Sequence, residues 1–365
     1  MTTSHARYKR ELCKIREEEE ERKKDLDQQR FHFGGDEVPG SAWLGSDACH
    51  SLLASKGEIS LKQYFLSRVV KIMRTLDLDM AAWEDGFKDW QNTNLPPQML
   101  SEQNVYTYSW KNPPHMQMLK SAYTMANMGY KVVLASATNL YLDHAQEPDP
   151  AERGLVWATR FVNTKRSFSY SPLQLYRSTN VDLRGKRVVP CENDTYFCPS
   201  LMNPESIEGM EAILFGELIT STKILDYMLL PRLLAVAERA WHEAPWEELP
   251  VGQKRKMELN QDWTKFANTL GHRELPRLDN LGYQYRIPPP GAIQDPENSR
   301  QMLVNVTYPG HSVEISRNGG WGWARMLNSA TRIEPGEKIL LRSKAGTRYS
   351  RAIVFNSKRQ LLLND

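Results

Sequence analysis

The stretch FHFGGDEV, residues 31–38, decides how the chain is expected to fold around its functional residues. An apolar strand end is followed by Gly34 and Gly35 and then by two adjacent carboxylates, Asp36 and Glu37. Consecutive side chains of an extended strand point to opposite faces, so both carboxylates can address one ligand only where the backbone turns. The two glycines permit that turn. The alternative interpretation is an acidic loop at the strand end or a helix start, because Asp and Glu are favoured at helix N-termini.

From residue 31 onward, short apolar runs alternate with longer amphipathic ones, a pattern typical of a parallel sheet with crossover helices. Apolar residues at helical spacing mark the helices, and short apolar runs mark the strands. The predicted strands are residues 31–33, 78–83, 105–109, 131–135 and 211–215, and the predicted helices are residues 61–76, 115–128 and 229–241. The long segment between the fourth and fifth strands, residues 137–200, is expected to be functional, as loops of that length usually are.

Both ends of the chain differ from this α/β region. Residues 1–30 are rich in both charges and poor in apolar side chains, which predicts a charged N-terminal tail outside the fold. The proline-rich stretch YRIPPPGAI, residues 285–293, breaks any helix, and the runs LVNVTY, SVEISRNGG, KILLRSKAG and SRAIVF that follow alternate in twos. This alternation predicts a small antiparallel sandwich. The sequence therefore predicts an α/β domain at 31–270 and an all-β domain at 271–365.

Composition excludes several classes of partner. The 365 residues carry 47 basic and 44 acidic side chains, a net charge of +3, which gives no reason to expect nucleic acid or a lipid surface as partner. No apolar run approaches the ~20 residues of a membrane span, and Met1 opens no signal peptide. The four cysteines are too scattered for a zinc site, and no metal or cofactor is predicted. Cys191 and Cys198 are close enough to close a loop in an oxidising compartment.

The later predicted strands end in aromatic rings or carboxylates. These residues are Trp83, Glu84 and Asp85 in AAWEDG, Tyr108 and Trp110 in YTYSW, Tyr141 and Asp143 in NLYLD, and Glu217 in LFGELIT. In a barrel of alternating strands and helices, all such positions lie at one C-terminal rim, where active sites are found. Neighbouring carboxyls beside aromatic rings are the outline of glycosidase chemistry. For any single tryptophan, the alternative is plain core packing.

Several ordered motifs resemble glycoside hydrolase family 20, and within it the chitobiase-type β-N-acetylhexosaminidases. They are HFGGDEV, AWEDG, NLYLDH followed by GLVWATRF, GELITSTKILDYMLLPRLLAVAERAW, and the C-terminal segment from YRIPPPGA to SRAIVF. The resemblance covers about residues 31–365. It implies an α/β fold, an incomplete (β/α)8 TIM barrel made of strands four to eight, followed by an all-β immunoglobulin-like sandwich.

The resemblance also implies hydrolysis assisted by the substrate's own acetamido group, a departure from the two-carboxylate scheme. In the substrate-assisted mechanism, Glu37 would be the general acid and then the general base. Asp36 would hold the acetamido N–H, and Tyr141 would donate a hydrogen bond to the attacking carbonyl oxygen. Trp83 and Trp110 would form the walls of the acetamido pocket. The expected partner is therefore an oligosaccharide that contains N-acetylglucosamine, and no cofactor is needed.

Four further residues take substrate-binding roles by resemblance. Trp157 would stack under the next sugar, and Asp143 and Glu217 would contact ring hydroxyls. Phe215 stands where the family usually has tryptophan, so one wall of the site would be smaller and would lack an indole N–H.

The length before residue 31 departs from the family pattern. A barrel uses ~30 residues for each strand and helix, so about 90 residues of barrel would precede the carboxylate pair. Only the charged tail stands there, which predicts an N-terminally truncated chain that is inactive and self-associates through open sheet edges. The alternative function is that of an inactive fragment that binds sugar or another protein. For a full-length form, the resemblance suggests an extracellular or lysosomal location, and the oligomeric state is left open.

Overall fold

The computed structural model describes residues 30–39, 41–56, 60–89, 93–101, 104–114, 119–179, 181–186, 188 and 198–357. These residues form two compact units. The first contains the residues up to 111 together with 119–135 and 198–210, and the second contains the remaining described residues. The predicted tail lies outside the described residues except for Arg30, which opens the first strand.

The first unit contains a five-stranded parallel sheet whose strands follow the order β1-β2-β3-β4-β5. Its strands are β1 (Arg30–His32), β2 (Asp79–Trp83), β3 (Val105–Ser109), β4 (Lys131–Leu134) and β5 (Ile207–Met210). The first four lie where the sequence predicts them. The parallel order brings the carboxyl ends of these strands to one edge of the sheet, where ligand sites are usually built.

The prediction for the fifth strand is wrong. The apolar run at 211–215 is the stronger strand pattern, but β5 is formed by the preceding residues Ile207–Met210, which include a glycine and a glutamate. Glu208 forms an ion pair with Lys131 of β4 at 2.8 Å, and the register shifts between Val132 and Val133. Ile213 instead makes a separate parallel bridge with Tyr141 in the second unit.

Three helices accompany this sheet among the described residues: α1 (Asp47–Lys56), α2 (Leu61–Leu76) and α3 (Ser121–Asn127). Helix α2 has the bounds that the sequence predicts. Ser60 and Gln63 form a reciprocal capping box at its start, and it ends at Asp77 in the left-handed conformation. Of the helix predicted at 115–128, the structure describes only the part from residue 119, and α3 occupies most of that part.

The second unit contains seven α-helices within the described residues. They are α4 (Ala137–Leu140), α5 (Thr164–Phe168), α6 (Leu175–Ser178), α7 (Thr222–Leu229), α8 (Arg232–Trp241), α9 (Gln253–Thr269) and α10 (Leu275–Asn280). The helix predicted at 229–241 begins later than expected: α8 starts at Arg232, after Pro231, and Leu229 is the last residue of α7. A proline lacks the N–H that a continuous helix would need at this position. A π-helical turn, Leu270–Glu274, joins α9 to α10.

The last part of the second unit is all-β and antiparallel, as predicted. One sheet has the order β10-β7-β6, and the other has β12-β11-β8-β9 with β13 paired to β11. The strands are β6 (Gly291–Gln294), β7 (Gln301–Asn305), β8 (Ser312–Ser316), β9 (Ala324–Arg325), β10 (Ala330–Arg332), β11 (Lys338–Ala345), β12 (Arg348–Tyr349) and β13 (Ile353–Asn356). Their buried side chains form a core that includes Met302, Ile339 and Phe355.

These strands also share a core with the preceding helices. Leu270 and Leu275 of the helical region pack in one buried cluster with Tyr285, Tyr308 and Ala345. The Tyr308 hydroxyl lies 2.7 Å from Thr164 Oγ1, at the start of α5. The β-domain is therefore packed directly against the helices of its own unit.

Three sequence expectations concern single features. Cys198 is in a disulfide bond, while Cys191 lies outside the described residues. Across the described ranges, no helix is both long enough and apolar enough to cross a membrane. Within those ranges, no group of three or more His, Cys, Asp and Glu side chains could hold a metal ion.

Candidate active site

The carboxylate pair lies on a tight turn directly after β1. Phe33 N–H donates to Ala81 O at 2.9 Å, so pairing with β2 continues past the end of the strand. Gly34 and Gly35 then take φ values of 77° and 87°, and Glu37 itself has a φ of 52°. The side chains of Asp36 and Glu37 are both exposed. The glycines thus form the turn that the sequence requires for both carboxylates to face one ligand.

The turn packs so closely on a second loop that side chains would not fit between them. A Cβ atom on Gly35 would lie 2.9 Å from the Cα of Gly86, and a Cβ on Gly86 would lie 2.9 Å from the Cβ of Ala82. Gly86 belongs to the short 3-10 helix Glu84–Phe87 that follows β2. The turn after β1 and the loop after β2 are therefore held at fixed separation by two backbones in contact.

Asp85, in the same loop, connects three elements of the first unit. Its carboxylate accepts hydrogen bonds from the backbone N–H of Glu37 at 3.1 Å, from Trp110 Nε1 at 3.1 Å and from Lys111 Nζ at 2.6 Å. Burial alone would raise the pKa of Asp85, but the hydrogen bond and charge of Lys111, with the bonds from Glu37 and Trp110, hold that pKa below its ordinary value. Asp85 therefore remains an anion that fixes the backbone of the candidate general acid.

Glu84 fixes the neighbouring strand end from the same loop. Its fully buried carboxylate accepts from the backbone N–H groups of Trp110 at 3.1 Å and Lys111 at 2.7 Å, and from Ser109 Oγ at 3.2 Å. The main chain and the indole of Trp110 are thus held by two adjacent carboxylates. The sequence places both acids at the rim but does not distinguish them from the exposed pair on the turn after β1.

Aromatic rings line the strand ends beside this turn. The ring of His32 lies 5.3 Å from that of Trp83 and 4.8 Å from that of Tyr108, in edge-to-face arrangements. Burial lowers the pKa of His32, and the negative charge of Asp36 partly offsets the effect. His32, Trp83 and Tyr108 belong to three adjacent strands, which form a row of rings at one edge of the sheet.

A second group of site residues surrounds Tyr141 in the second unit. The Tyr141 ring lies 5.7 Å from Trp157 and 5.6 Å from Phe215, both edge-to-face. The main chain holds this group, because Leu142 N–H donates to the carbonyl of Ile213, two residues before Phe215. Phe215 is 39% exposed, and Glu217 is exposed two residues further on.

Asp143 is the most unusual carboxylate of this group. It is 2% exposed, yet neither carboxylate oxygen has a hydrogen-bond partner among the described residues. His144 Nδ1 lies 3.5 Å from Asp143 Oδ1. His144 Nε2 accepts the backbone N–H of Ala158 at 3.2 Å, which fixes the orientation of the ring beside Asp143. A buried carboxylate with open acceptor positions is costly unless a ligand supplies donors.

Arg232 holds the main chain of the same segment. Its guanidinium is fully buried and donates to the carbonyls of His144 at 2.7 Å and Val162 at 2.8 Å, and also to those of Leu142 and Met228. Burial lowers the pKa of Arg232 to about 9, partly offset by the charges of nearby carboxylates, so the group stays protonated at neutral pH. No pattern in the sequence identifies this role, because the arginine lies within an amphipathic helix.

Two protein-family models match the chain. The model of the glycosyl hydrolase family 20 catalytic domain matches residues 14–244, and the model of the chitobiase/beta-hexosaminidase C-terminal domain matches residues 274–352. The chain belongs to glycoside hydrolase family 20. The expected fold class, a partial TIM barrel followed by an all-β domain, is thereby confirmed.

Curated relatives of this family 20 chain include bacterial hexosaminidases. It is 28% identical to the N,N'-diacetylchitobiase of Vibrio harveyi over 360 residues, which cover 87% of this chain and 39% of the relative. It is 31% identical to beta-hexosaminidase B of Pseudoalteromonas piscicida over 262 residues, 66% of this chain and 32% of the relative. The chain thus spans less than two-fifths of the length of these relatives.

Among solved structures, the chain is similar to the family 20 exo β-N-acetylglucosaminidase from Vibrio harveyi in complex with N-acetylglucosamine. The two share 26% sequence identity with a TM-score of 0.48, over 71% of this chain and 33% of the other.

The site residues suggested by the family resemblance fall into two groups in the structure. The first unit holds the carboxylate pair on the turn after β1 together with Trp83 and Trp110. The second unit holds Tyr141, Asp143, Trp157, Phe215 and Glu217. Each group is internally ordered by the contacts described above. The roles of the individual residues remain predictions.

Proposed function

We propose that the protein is an exo-acting β-N-acetylhexosaminidase that releases terminal N-acetylglucosamine from chitin oligosaccharides or glycans. The observation that carries the proposal is the exposed Asp36–Glu37 pair on a glycine turn whose backbone is held by the buried anion Asp85. A proton donor must keep a fixed position relative to the scissile bond, and the hydrogen bond from Glu37 N–H to Asp85 supplies that constraint. Membership of family 20 and the hexosaminidase names of the relatives support the same activity.

The proposed mechanism retains configuration and uses the substrate as its own nucleophile. The acetamido oxygen attacks the anomeric carbon while the bond to the leaving oxygen breaks, and Glu37 transfers its proton to that oxygen. The resulting oxazolinium ion carries positive charge, which the Asp36 carboxylate stabilises at the acetamido nitrogen. Glu37 then takes a proton from water as the water oxygen attacks the anomeric carbon, and the bond from that carbon to the acetamido oxygen breaks, which regenerates the acetamido group. The enzyme supplies no covalent nucleophile in this scheme.

The remaining residues bind and orient the sugar. Trp83 and Trp110 form apolar walls for the acetamido methyl group, and Tyr141 donates a hydrogen bond to the acetamido oxygen as it attacks. Asp143 accepts from a ring hydroxyl, a role supported by its buried, unpartnered oxygens among the described residues. Glu217 binds a second hydroxyl, and Trp157 stacks under the next sugar, with Phe215 beside Tyr141.

One observation favours a second candidate, a sugar-binding protein without catalysis. The group formed by Tyr141, Trp157 and Asp143 is ordered within the second unit by itself. Stacking on rings and bonding to a buried carboxylate require no proton transfer. A chain that bound N-acetylglucosamine without cleaving any N-acetylglucosaminide would support this candidate.

The test compares two aryl glycosides that differ only at the 2-position. We expect p-nitrophenyl N-acetyl-β-glucosaminide to be hydrolysed orders of magnitude faster than p-nitrophenyl β-glucoside, which lacks the internal nucleophile. The assay uses the 365-residue chain and a fusion, called the completed enzyme below, in which a preceding barrel segment of the Vibrio harveyi relative is joined to Arg30. Equal rates on the two substrates, or hydrolysis of neither by the completed enzyme, would overturn the proposal.

A further inference from the structure

The segment that follows Tyr141 forms a loop closed by a short backbone ladder. Leu155 N–H donates to Asp143 O at 2.8 Å, and Ala145 N–H donates to Leu155 O at 3.0 Å. The two strands of the ladder approach so closely that a Cβ atom on Gly154 would lie 2.0 Å from Ala145 N. The ladder therefore holds Asp143 in space beside Leu155, two residues before Trp157. We call residues 143–157 the ladder loop.

Glu152, within the ladder loop, anchors the loop to other parts of the second unit. Its carboxylate accepts two parallel hydrogen bonds from Arg286, one from Nε at 2.7 Å and one from Nη2 at 2.9 Å. Tyr227 of α7 donates a third bond to Glu152 at 2.7 Å. Arg286 also forms an ion pair with Glu147 of the same loop. Bidentate pairs of this kind fix geometry as well as charge.

Both partners of the bidentate pair are buried. Glu152 is 8% exposed and Arg286 is 4% exposed. Burial lowers the pKa of Arg286 to about 9, so the guanidinium is still protonated at neutral pH. A buried charge that loses its partner is strongly destabilised, and the pair therefore resists separation.

Arg286 comes from the segment that leads into the C-terminal β-domain. Its backbone N–H donates to Leu230 O at 3.1 Å, and the chain enters β6 five residues later. A second arginine of the β-domain, Arg351, bonds Glu147 and Asp149 at 2.9 Å each. Two arginines near the opposite ends of this domain thus converge on one loop.

We propose that Arg286 is a positioning residue: through Glu152 and Glu147, the C-terminal β-domain holds the ladder loop in the conformation that presents Asp143 and Trp157 to the sugar. The identity of the ligand rests on the proposed function. The brace, by which we mean the contacts of Arg286 with Glu152 and Glu147, rests on the distances given above. The β-domain thereby acts on substrate binding although Arg286 makes no contact with the reacting atoms.

The first test measures amide hydrogen exchange in the 365-residue chain without ligand. Arg286→Leu should speed exchange at the ladder amides of Ala145 and Leu155 by about tenfold or more, because local opening no longer has to break the bidentate pair. Arg342→Leu is the control: Arg342 of β11 bonds Glu314 of β8 at 2.9 and 2.6 Å in the same domain, and its described hydrogen bonds include neither the ladder loop nor a neighbour of Arg286. The control should leave the two ladder amides unchanged.

A double variant guards against simple loss of folding. Arg286→Leu with Glu152→Met removes both charges, which is far less harmful than leaving one of them buried alone. It should show the same faster exchange at the ladder amides while the amides of α9 keep their protection. Unchanged exchange at Ala145 and Leu155 in this variant, or equal acceleration by Arg342→Leu, would overturn the proposal.

The second test measures kinetics in the completed enzyme. Arg286→Leu should raise KM for p-nitrophenyl N-acetyl-β-glucosaminide by about tenfold while kcat falls by less than about threefold, since substrate binding rather than proton transfer is disturbed. The KM of Arg286→Lys should lie between those of the parent and Arg286→Leu, because an ammonium group keeps the charge but not the planar, bidentate geometry of the guanidinium. Equal KM values for Arg286→Leu and Arg342→Leu would contradict a positioning role. An inactive completed enzyme would refute the proposed function, and the exchange test would still decide whether the brace exists.

Discussion

Glu37→Gln should lower kcat/KM of the completed enzyme for N-acetyl-β-glucosaminides by about 10²- to 10⁴-fold, the range typical of general acid catalysis. Glutamine has nearly the same shape, and its backbone N–H can still donate to Asp85, so the turn after β1 should stay in place. The change removes only the transferable proton. The measurement is initial-rate kinetics with p-nitrophenyl N-acetyl-β-glucosaminide and with N,N'-diacetylchitobiose.

The two substrates should respond to this variant unequally. p-Nitrophenolate is a good leaving group without protonation, whereas a sugar alkoxide must be protonated as it leaves. The fall in kcat/KM should therefore be larger on the disaccharide. Glu208→Gln is the control, since Glu208, on β5 of the same unit, pairs with Lys131 of β4 and takes no part in the proposed mechanism. A Glu37→Gln enzyme with rates within a few-fold of the parent would remove Glu37 from the mechanism.

Arg232→Met should destabilise the protein by at least about 4 kcal/mol, since four buried carbonyls lose their donor at about 1–3 kcal/mol each. That loss is comparable with the whole stability of a typical domain. We expect a fall in Tm of roughly 10 °C or more, or failure to obtain folded protein. Differential scanning calorimetry of the 365-residue chain is the measurement.

The control for this variant is an arginine whose partner is on the surface. Arg277 pairs with Glu274 in an exposed i,i+3 arrangement, and Arg277→Met should leave Tm within about 2 °C. A Tm for Arg232→Met close to that of the Arg277→Met control would show that the carbonyls around residues 142–162 find other donors, and the account of how Arg232 orders the Asp143 segment would be wrong.

Local sequence patterns account for most of the regular structure near the site. The Ser60–Gln63 capping box and the buried positions Leu66, Val69 and Met73 lie within one stretch of chain, so α2 is predictable to the residue. The fifth strand is not predictable in this way. Its position depends on pairing with β4 across a register shift, and the stronger apolar run beside it at 211–215 is used for the bridge to Tyr141 instead.

The candidate site shows the same division between local and distant causes. Gly34 and Gly35 predict the turn that exposes the carboxylate pair, because backbone freedom is a property of those residues alone. The roles of Asp85 and Arg232 could not be predicted, because their side-chain partners, apart from Met228 O, lie 25 to 90 residues away along the chain. In the sequence, a carboxylate that positions other residues of a site cannot be distinguished from one that reacts, because both are Asp or Glu.

The participation of the substrate's acetamido group is tested most directly by a series of p-nitrophenyl glycosides whose N-acetyl methyl group carries none, one, two or three fluorine atoms. Each fluorine withdraws electron density from the carbonyl oxygen and weakens it as a nucleophile, while the leaving group stays constant. With the oxygen as nucleophile, log kcat of the completed enzyme should fall steadily along the series. A kcat independent of fluorination would show that the oxygen does not attack, and would require a nucleophile from the protein.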